Sequence, residues 1–128
     1  MNEIRTAVVI GGTSGVGRAI ARVLAAGGTQ VTVYGRSLPD APENNIEYRR
    51  FNLLCDDFAA FEAHLNADAL IYAAGLGRIA PYEQLTDMEI TALFRTNAEG
   101  FARVLRMFQP ACLRTGPSTA RCWAPSRG

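Results

Sequence analysis

The distribution of apolar and polar residues over the first 75 positions predicts four β-strands. Residues 7–10 form a short, continuously apolar and mostly β-branched run, which is typical of a strand buried on both faces of a parallel sheet. Residues 30–35 predict a second strand, and the alternation over residues 46–52 predicts a third. Residues 67–75 predict a fourth strand that ends in small side chains.

Helical patterns separate these strands, so the sequence predicts an α/β fold with a doubly wound parallel sheet. One pattern follows the first strand and ends at Gly27 and Gly28, and another covers residues 56–65 with acidic residues in its first turn. The crossover between the second and third strands has no helical pattern and predicts an irregular loop or a single turn. The apolar residues at helical spacing are Ile20, Val23 and Leu24 in the first segment and Phe58, Phe61 and Leu65 in the second.

A long helix is predicted from Thr86 onward. Thr86 and Glu89 fit a capping box, in which each side chain bonds to the other residue's backbone N–H. Pro110 is expected to end or kink this helix at about Gln109. Its apolar positions, at spacings of three and four, are Ile90, Leu93, Phe94, Phe101, Val104, Leu105 and Phe108.

A glycine-rich turn between the first strand and the first helix carries the strongest chemical signal. Gly11, Gly15 and Gly17 allow a tight turn, a close approach of the backbone to a pyrophosphate, and close packing of helix on strand. The helix N-terminus offers free N–H groups to phosphates, and Thr13 and Ser14 can add hydroxyl donors. The pattern therefore predicts a nucleotide site, the alternative being a glycine-rich turn without a ligand.

The spacing Gly-x-x-x-Gly-x-Gly resembles that of the short-chain dehydrogenase/reductase family. Residues 72–75, "YAAG", resemble the family's Asn-Asn-Ala-Gly, and Asn97 with Gly100 stands where the family has Asn-x-x-Gly. Pro110 matches a proline near the end of the same helix, so the resemblance covers roughly residues 4–112. It departs from the family at Ile10 (usually Thr), at Tyr72 and Ala73 (commonly two Asn), and at Asn52 (commonly Asp).

The resemblance implies a three-layer, Rossmann-type fold with strand order 3-2-1-4, of which only the first half is present. It assigns residues 1–113 to an incomplete NADP-binding domain and residues 114–128 to an irregular tail. It implies hydride transfer between NADP(H) and a small-molecule carbonyl or alcohol substrate, whose identity the sequence does not reveal. The implied cofactor-binding residues are Gly11, Thr13, Ser14, Gly15, Val16, Gly17, Arg36, Ser37, Asn52, Leu53, Ala73, Ala74 and Gly75.

The residues after the second strand indicate which dinucleotide is preferred. An acidic residue about 20 positions beyond the glycines selects NAD, whereas an arginine there favours the 2′-phosphate of NADP. This chain has Arg36 and Ser37 and no carboxylate at that point. Because guanidinium suits bidentate phosphate binding, we expect NADP rather than NAD, the alternative being a solvated surface arginine.

Asn97 has two interpretations. The resemblance places it in the family's catalytic set, where it holds a helix irregularity and a water of a proton relay. The alternative is a buried asparagine that satisfies the backbone of a neighbouring strand. Both can hold together.

Composition narrows the classes of function. The 128 residues include 13 basic and 12 acidic side chains, and the net charge of +1 argues against a nucleic-acid partner. Three cysteines, Cys55, Cys112 and Cys122, and the single His64 predict no disulfide framework and no metal site. The sequence shows no basic leader with an apolar export segment and no apolar run near 18 residues, so we expect a cytoplasmic protein without membrane contact.

The residues that the family's chemistry needs are absent from this sequence. That chemistry uses a tyrosine acid/base, a lysine four positions later and a substrate-orienting serine; all 13 basic residues here are arginine, and the last tyrosine is Tyr82. Residues 114–128 have no apolar period, so we expect a truncated or frame-shifted family member that is inactive alone, the alternative being a short domain with a flexible tail. A non-catalytic fragment, a pseudoenzyme, or an interaction module whose exposed long helix packs on a partner stays open. A homo-oligomer through the long helix or an exposed strand edge is a further expectation.

Overall fold

The four predicted strands form one parallel sheet, which confirms the α/β fold class. The computed structural model describes residues 3–77 and 79–114. The strands are β1 (Thr6–Ile10), β2 (Gln30–Gly35), β3 (Ile46–Arg50) and β4 (Ala69–Tyr72). Their order is β3-β2-β1-β4, as the family resemblance implied, and every neighbouring pair is parallel. The crossover from β2 to β3 is an irregular loop, closed by a bridge between Glu43 and Ile46.

Helix α1 spans Gly15–Ala26 and covers one face of the sheet. The sequence predicted that the apolar residues Ile20, Val23 and Leu24 fall on one helical face, but Val23 is 73% exposed. The fully buried positions are instead glycine and alanine, and these small residues let the helix lie close to the strands. They are Gly17, Ala21 and Ala25, and the two alanines pack with Val9, Val31 and Val33.

The segment predicted as a helix over residues 56–65 is a 3₁₀-helix, Phe58–His64. Its N-cap is Asp57, whose carboxylate accepts from the Ala59 N–H at 2.9 Å. A 3₁₀-helix has three residues per turn, so Phe58 and Phe61 eclipse each other and both enter the core. The apolar positions Phe58 and Phe61 were predicted correctly, but the 3₁₀ pitch of the helix that carries them was not.

The second face of the sheet is covered by a hydrophobic cluster that is rich in aromatic side chains. The Phe61 ring lies 4.8 Å from Tyr34 and 4.5 Å from Phe51 between centroids. Rings at these distances in tilted or edge-to-face geometry stabilise a core beyond the area that they bury. With α1 on the opposite face, the described chain has the three layers that the resemblance implied. The buried members of this cluster are Val8, Ile10, Tyr34, Phe51, Phe58, Phe61, Val104 and Phe108.

The predicted long helix is continuous but contains a change of pitch. A short 3₁₀-helix, Tyr82–Gln84, precedes it, and helix α2 (Asp87–Phe94) begins with the predicted capping box. A π-helical turn, Arg95–Glu99, then leads into helix α3 (Gly100–Arg114). In the described part of the chain, no helix combines the length and the apolarity needed to cross a bilayer.

Helix α3 continues past Pro110, so of the two expected outcomes, an end or a kink near Gln109, the structure contradicts the first. Proline removes one backbone donor and crowds the carbonyl four residues earlier, yet a helix can continue beyond it when its other bonds persist. Helix α3 is also anchored in the core by Val104 and Phe108 just before the proline. It ends at Arg114, the first residue of the predicted tail, and residues 115–128 lie outside the described residues.

Candidate functional site

A cleft of about 370 Å³ opens at the carboxyl ends of β1, β2 and β4. After β1 the chain crosses to β2 on one side, whereas β4 returns on the other side of β1. This is the point of an open α/β sheet where strand order reverses and where ligands commonly bind. Every residue predicted to contact a dinucleotide lines this cleft, from Gly11 at the first turn to Gly75 after β4.

The glycine-rich turn has two distinct steric requirements. Gly11 has φ +84°, and a Cβ there would lie 2.5 Å from the Ala74 amide nitrogen, so the turn touches the backbone after β4. Gly15 has φ +57°, but a Cβ there would meet no atom within 4 Å. Gly15 therefore faces open space at the cleft, and that space suits a phosphate drawn close to the backbone.

The N-terminus of α1 leaves its first N–H groups available. Ser14 is the N-cap; its backbone is extended, and its side chain accepts no capping hydrogen bond from a described residue. The first turn of a helix carries N–H groups without intrahelical partners and the positive end of the helix dipole. Together with the open space at Gly15, this arrangement fits an anion such as a pyrophosphate.

Arg36 and Ser37 follow β2 and lie exposed at the same cleft. Gly35 packs directly against the Thr13 side chain, which brings the end of β2 beside the glycine-rich turn. No carboxylate among the described residues forms an ion pair with Arg36. Its guanidinium is therefore free to bind an anion.

The segment after β3 forms an apolar wall of the cleft. Asn52 Oδ1 accepts from the Leu54 N–H at 2.9 Å, and the Asn52 N–H donates to Asp56 Oδ2 at 2.6 Å. These bonds fold residues 52–56 into a turn that presents Leu53 and Leu54 to the cleft beside Phe51. The wall suits the flat face of a nucleotide base, and Asn52 Oδ1 is already used within the turn.

Asn97 lies beside the cleft, and its side chain is bonded to the backbone. Its Nδ2 donates to the Leu76 carbonyl and its Oδ1 accepts from the Leu76 N–H, both at 2.8 Å. The bonding of the side chain to the backbone agrees with the structural interpretation, but Asn97 is exposed rather than buried, and Leu76 lies four residues beyond the end of β4. The catalytic role stays a prediction.

Several residues of the cleft were not singled out from the sequence, among them Tyr34, Thr96 and Leu76. Thr96 is only 7% exposed and lies in the π-helical turn. The π-helical turn changes the helical phase here, and neither composition nor spacing signals such a turn. Tyr34 was read only as part of a strand; its Oη donates to the Ala60 carbonyl at 3.2 Å.

A cluster of charges outside the cleft fastens α1 to the crossover between β2 and β3. Glu43 accepts from Arg22 at 2.6 Å, from Arg18 at 3.1 Å and from the Tyr48 hydroxyl at 3.0 Å. The hydrogen bond from Arg22, followed by that from Arg18, lowers the pKa of Glu43 to about 2. Neither composition nor spacing indicates this cluster, because its members lie up to 30 positions apart in sequence and meet only in the fold.

The three tyrosines of the strands have pKa values shifted away from neutrality. Burial raises the pKa of Tyr34, Tyr48 and Tyr72 above the ordinary value of 10.0. A catalytic tyrosine needs the opposite shift to exchange a proton near neutral pH. None of these three phenols has the electrostatic surroundings of a general acid/base.

Comparison with known proteins agrees with this geometry. The family model described as short chain dehydrogenase matches residues 5–118. A curated relative, the 3-oxoacyl-[acyl-carrier-protein] reductase FabG of Aggregatibacter actinomycetemcomitans, is 30% identical over 85% of this chain and 52% of its own.

Solved structures show the same similarity. A short-chain dehydrogenase/reductase family protein superimposes with a TM-score of 0.80 at 26% identity, over 90% of this chain and 53% of its own. A short-chain dehydrogenase from Streptomyces avermitilis has a TM-score of 0.75 at 25% identity, over 91% of this chain and 47% of its own. The chain thus spans about half the length of these relatives.

Proposed function

The chain belongs to the short-chain dehydrogenase family, and we propose that residues 1–113 form a domain that binds NADP(H) in the cleft beside β1. The pyrophosphate would lie at the N-terminus of α1, next to Gly15. The adenine would lie near Asn52 and Leu53, and the nicotinamide half near residues 73–75. The bound cofactor supplies the hydride chemistry of the family, and the residues of this chain hold and orient it.

The observation that carries the proposal is the convergence of two anion-binding features in one cleft. The uncapped helix N-terminus and Arg36 come from different elements, and both line the same space. An NAD site of this fold would have a carboxylate near Arg36 to bind both ribose hydroxyls. Arg36 with Ser37 supports the 2′-phosphate of NADP instead.

Titration of the purified chain with NADPH and NADH tests this assignment. Arg36→Ala removes a charge-assisted contact worth about 1.5–3 kcal/mol, so we expect NADPH to bind roughly tenfold or more weakly. NADH affinity should barely change, because NADH has no 2′-phosphate.

Arg5→Ala is the matched control. Arg5 is exposed and precedes β1, at the sheet edge opposite the cleft, so its loss should leave both affinities unchanged. Equal weakening of NADPH and NADH by Arg36→Ala would remove Arg36 from the 2′-phosphate site. A wild-type chain that binds neither cofactor would overturn the proposed function.

For catalysis we propose that this 128-residue chain binds the cofactor but does not turn over a substrate alone. It contains no lysine, and the three strand tyrosines have raised pKa values. The competing proposal, hydride transfer between NADP(H) and a carbonyl or alcohol, is supported by family membership. An NADPH oxidation assay on a panel of ketones distinguishes the two.

A further inference from the structure

Tyr72 links the end of β4 to the long helix at one defined atom. Its Oη donates to the Thr96 carbonyl at 2.6 Å, across 24 positions of sequence. Thr96 lies in the π-helical turn and lines the cleft. The bond therefore joins a strand end to a turn that borders the candidate cofactor site.

The π-helical turn removes from the Thr96 carbonyl the donor that it would have in a regular α-helix. In a regular α-helix this carbonyl would accept from the Gly100 N–H, four residues later. Here the Gly100 N–H donates to the Arg95 carbonyl, five residues back. The Tyr72 hydroxyl takes the place of the donor that the change of pitch has redirected.

The neighbouring residue, Asn97, is held by the same stretch of chain. Its side chain makes two bonds to the Leu76 backbone, four residues after Tyr72. Thr96 and Asn97, which are adjacent in the π-helical turn, are thus hydrogen-bonded to Tyr72 and Leu76, the two ends of residues 72–76. The residues between these fastenings, 73–75, line the cleft.

The packing leaves the phenol little freedom. The rings of Tyr72 and Phe101 lie 5.4 Å apart between centroids in edge-to-face geometry. A Cβ at position 100 would lie 2.8 Å from Tyr72 Oη, so glycine is needed for the hydroxyl to reach the turn. Burial raises the pKa of Tyr72, which keeps the hydroxyl protonated as a donor.

We propose that Tyr72 is a positioning residue for the cofactor site: through the Thr96 carbonyl it holds the π-helical turn, and with it Asn97 and the cleft wall at residues 73–76. The inference rests on the proposed binding of NADP(H), and it assigns a role to a position where this chain departs from the family's asparagine. Tyr72 itself does not line the cleft, so its role is indirect.

Tyr72→Phe removes only the hydroxyl and tests the proposal by two measurements. Hydrogen exchange of the Leu76 amide, followed by NMR without cofactor, should quicken roughly fivefold, as expected for the loss of one net hydrogen bond. NADPH should bind roughly fivefold more weakly at a temperature where the variant is fully folded. Gly100→Ala keeps the hydroxyl but pushes it from Thr96, so it should change both measurements in the same direction.

Tyr48→Phe is the matched control, since it removes another partly buried phenol bond, to Glu43, away from the cleft. It should leave Leu76 exchange and NADPH affinity unchanged. If Tyr72→Phe lowers only the melting temperature, as a merely structural residue would, the positioning role is wrong. If the wild type binds no NADPH, the proposed function fails, and Leu76 exchange still decides whether Tyr72 holds the turn.

Discussion

At the scale of one residue, Gly15 combines a left-handed backbone conformation with open space at the cleft where the cofactor is proposed to bind. Its φ of +57° is unfavourable for a β-branched residue, and a side chain would project into the open cleft. We expect Gly15→Val to abolish NADPH and NADH binding, because the side chain would occupy the space proposed for the pyrophosphate. Calorimetric titration of both cofactors measures the effect.

Gly28→Val is the control that separates the effect of backbone strain from the effect of a side chain that fills the cofactor site. Gly28 also has a positive φ, +92°, and open space around its Cβ position, but it follows the other end of α1. Both variants should be destabilised by about 1–3 kcal/mol, the usual strain of such a backbone conformation. Only Gly15→Val should lose the cofactor; normal NADPH binding by a folded Gly15→Val variant would show that the phosphate site is misplaced.

At the scale of elements, the attachment of α1 to the β2–β3 crossover should depend on pH. The pKa of Glu43 is about 2 in the folded chain, against an ordinary value of 4.5. A lowered folded pKa means that the carboxylate stabilises the fold fully above about pH 4.5 and loses this contribution as pH falls toward 2. Urea unfolding at a series of pH values should therefore show wild type and Glu43→Gln differing at neutral pH and converging near pH 2.

Glu47→Gln serves as the control for this titration. Glu47 pairs with Arg49 at 2.9 Å on the exposed side of β3, where an ion pair contributes little. Its unfolding midpoints should follow those of the wild type throughout the pH range. A difference between wild type and Glu43→Gln that persists undiminished at pH 2 would mean that the carboxylate charge is not what holds the two elements together.

At the scale of the whole molecule, two neighbouring surfaces favour self-association. In the part of the chain that the structure describes, β4 pairs only with β1, so its other edge presents unpaired backbone groups. On the long helix, Val104 and Phe108 are buried, whereas Phe94 is 70% and Phe101 45% exposed. We expect the isolated chain to form dimers or larger species in light scattering.

Phe94→Ser should reduce this association, since Phe94 is largely exposed and no described side chain of the cofactor cleft depends on it. Met88→Ser removes another exposed apolar side chain, six residues earlier on α2, and tests whether the loss of any exposed apolar side chain has the same effect. A monodisperse wild-type monomer would show that neither the strand edge nor the helix face drives association.

The whole chain is also expected to lack dehydrogenase turnover. A bound NADPH can present its hydride, but the sequence contains no lysine and the strand tyrosines have raised pKa values, so we expect no efficient proton donor for the alkoxide that the transfer would form. NADPH oxidation by rigorously pure protein, followed by absorbance over a panel of ketones, should equal the rate without protein. Measurable turnover would show that another group supplies the proton.

Much of the fold and of the cleft could be predicted from the sequence, because the signals are local. The buried run at residues 7–10, the glycines at 11, 15 and 17, and the capping box at Thr86 each depend on near neighbours in sequence. Strand order came from the family resemblance, not from periodicity. The thirteen predicted cleft residues meet because parallel strands bring their carboxyl ends to one edge of the sheet.

The tertiary structure decided the features that depend on distant partners. Val23 matched the apolar period of α1, yet close packing on the sheet buries Ala21 and Ala25 instead. The family resemblance implied a helix irregularity at Asn97, but the π-helical pitch of that turn and its bond from Tyr72, across 24 positions of sequence, are features of the tertiary structure. The pKa of Glu43 is low because arginines from another element surround it. Local pattern determines which element forms, whereas contacts between elements determine its pitch, its buried face and the charge of its side chains.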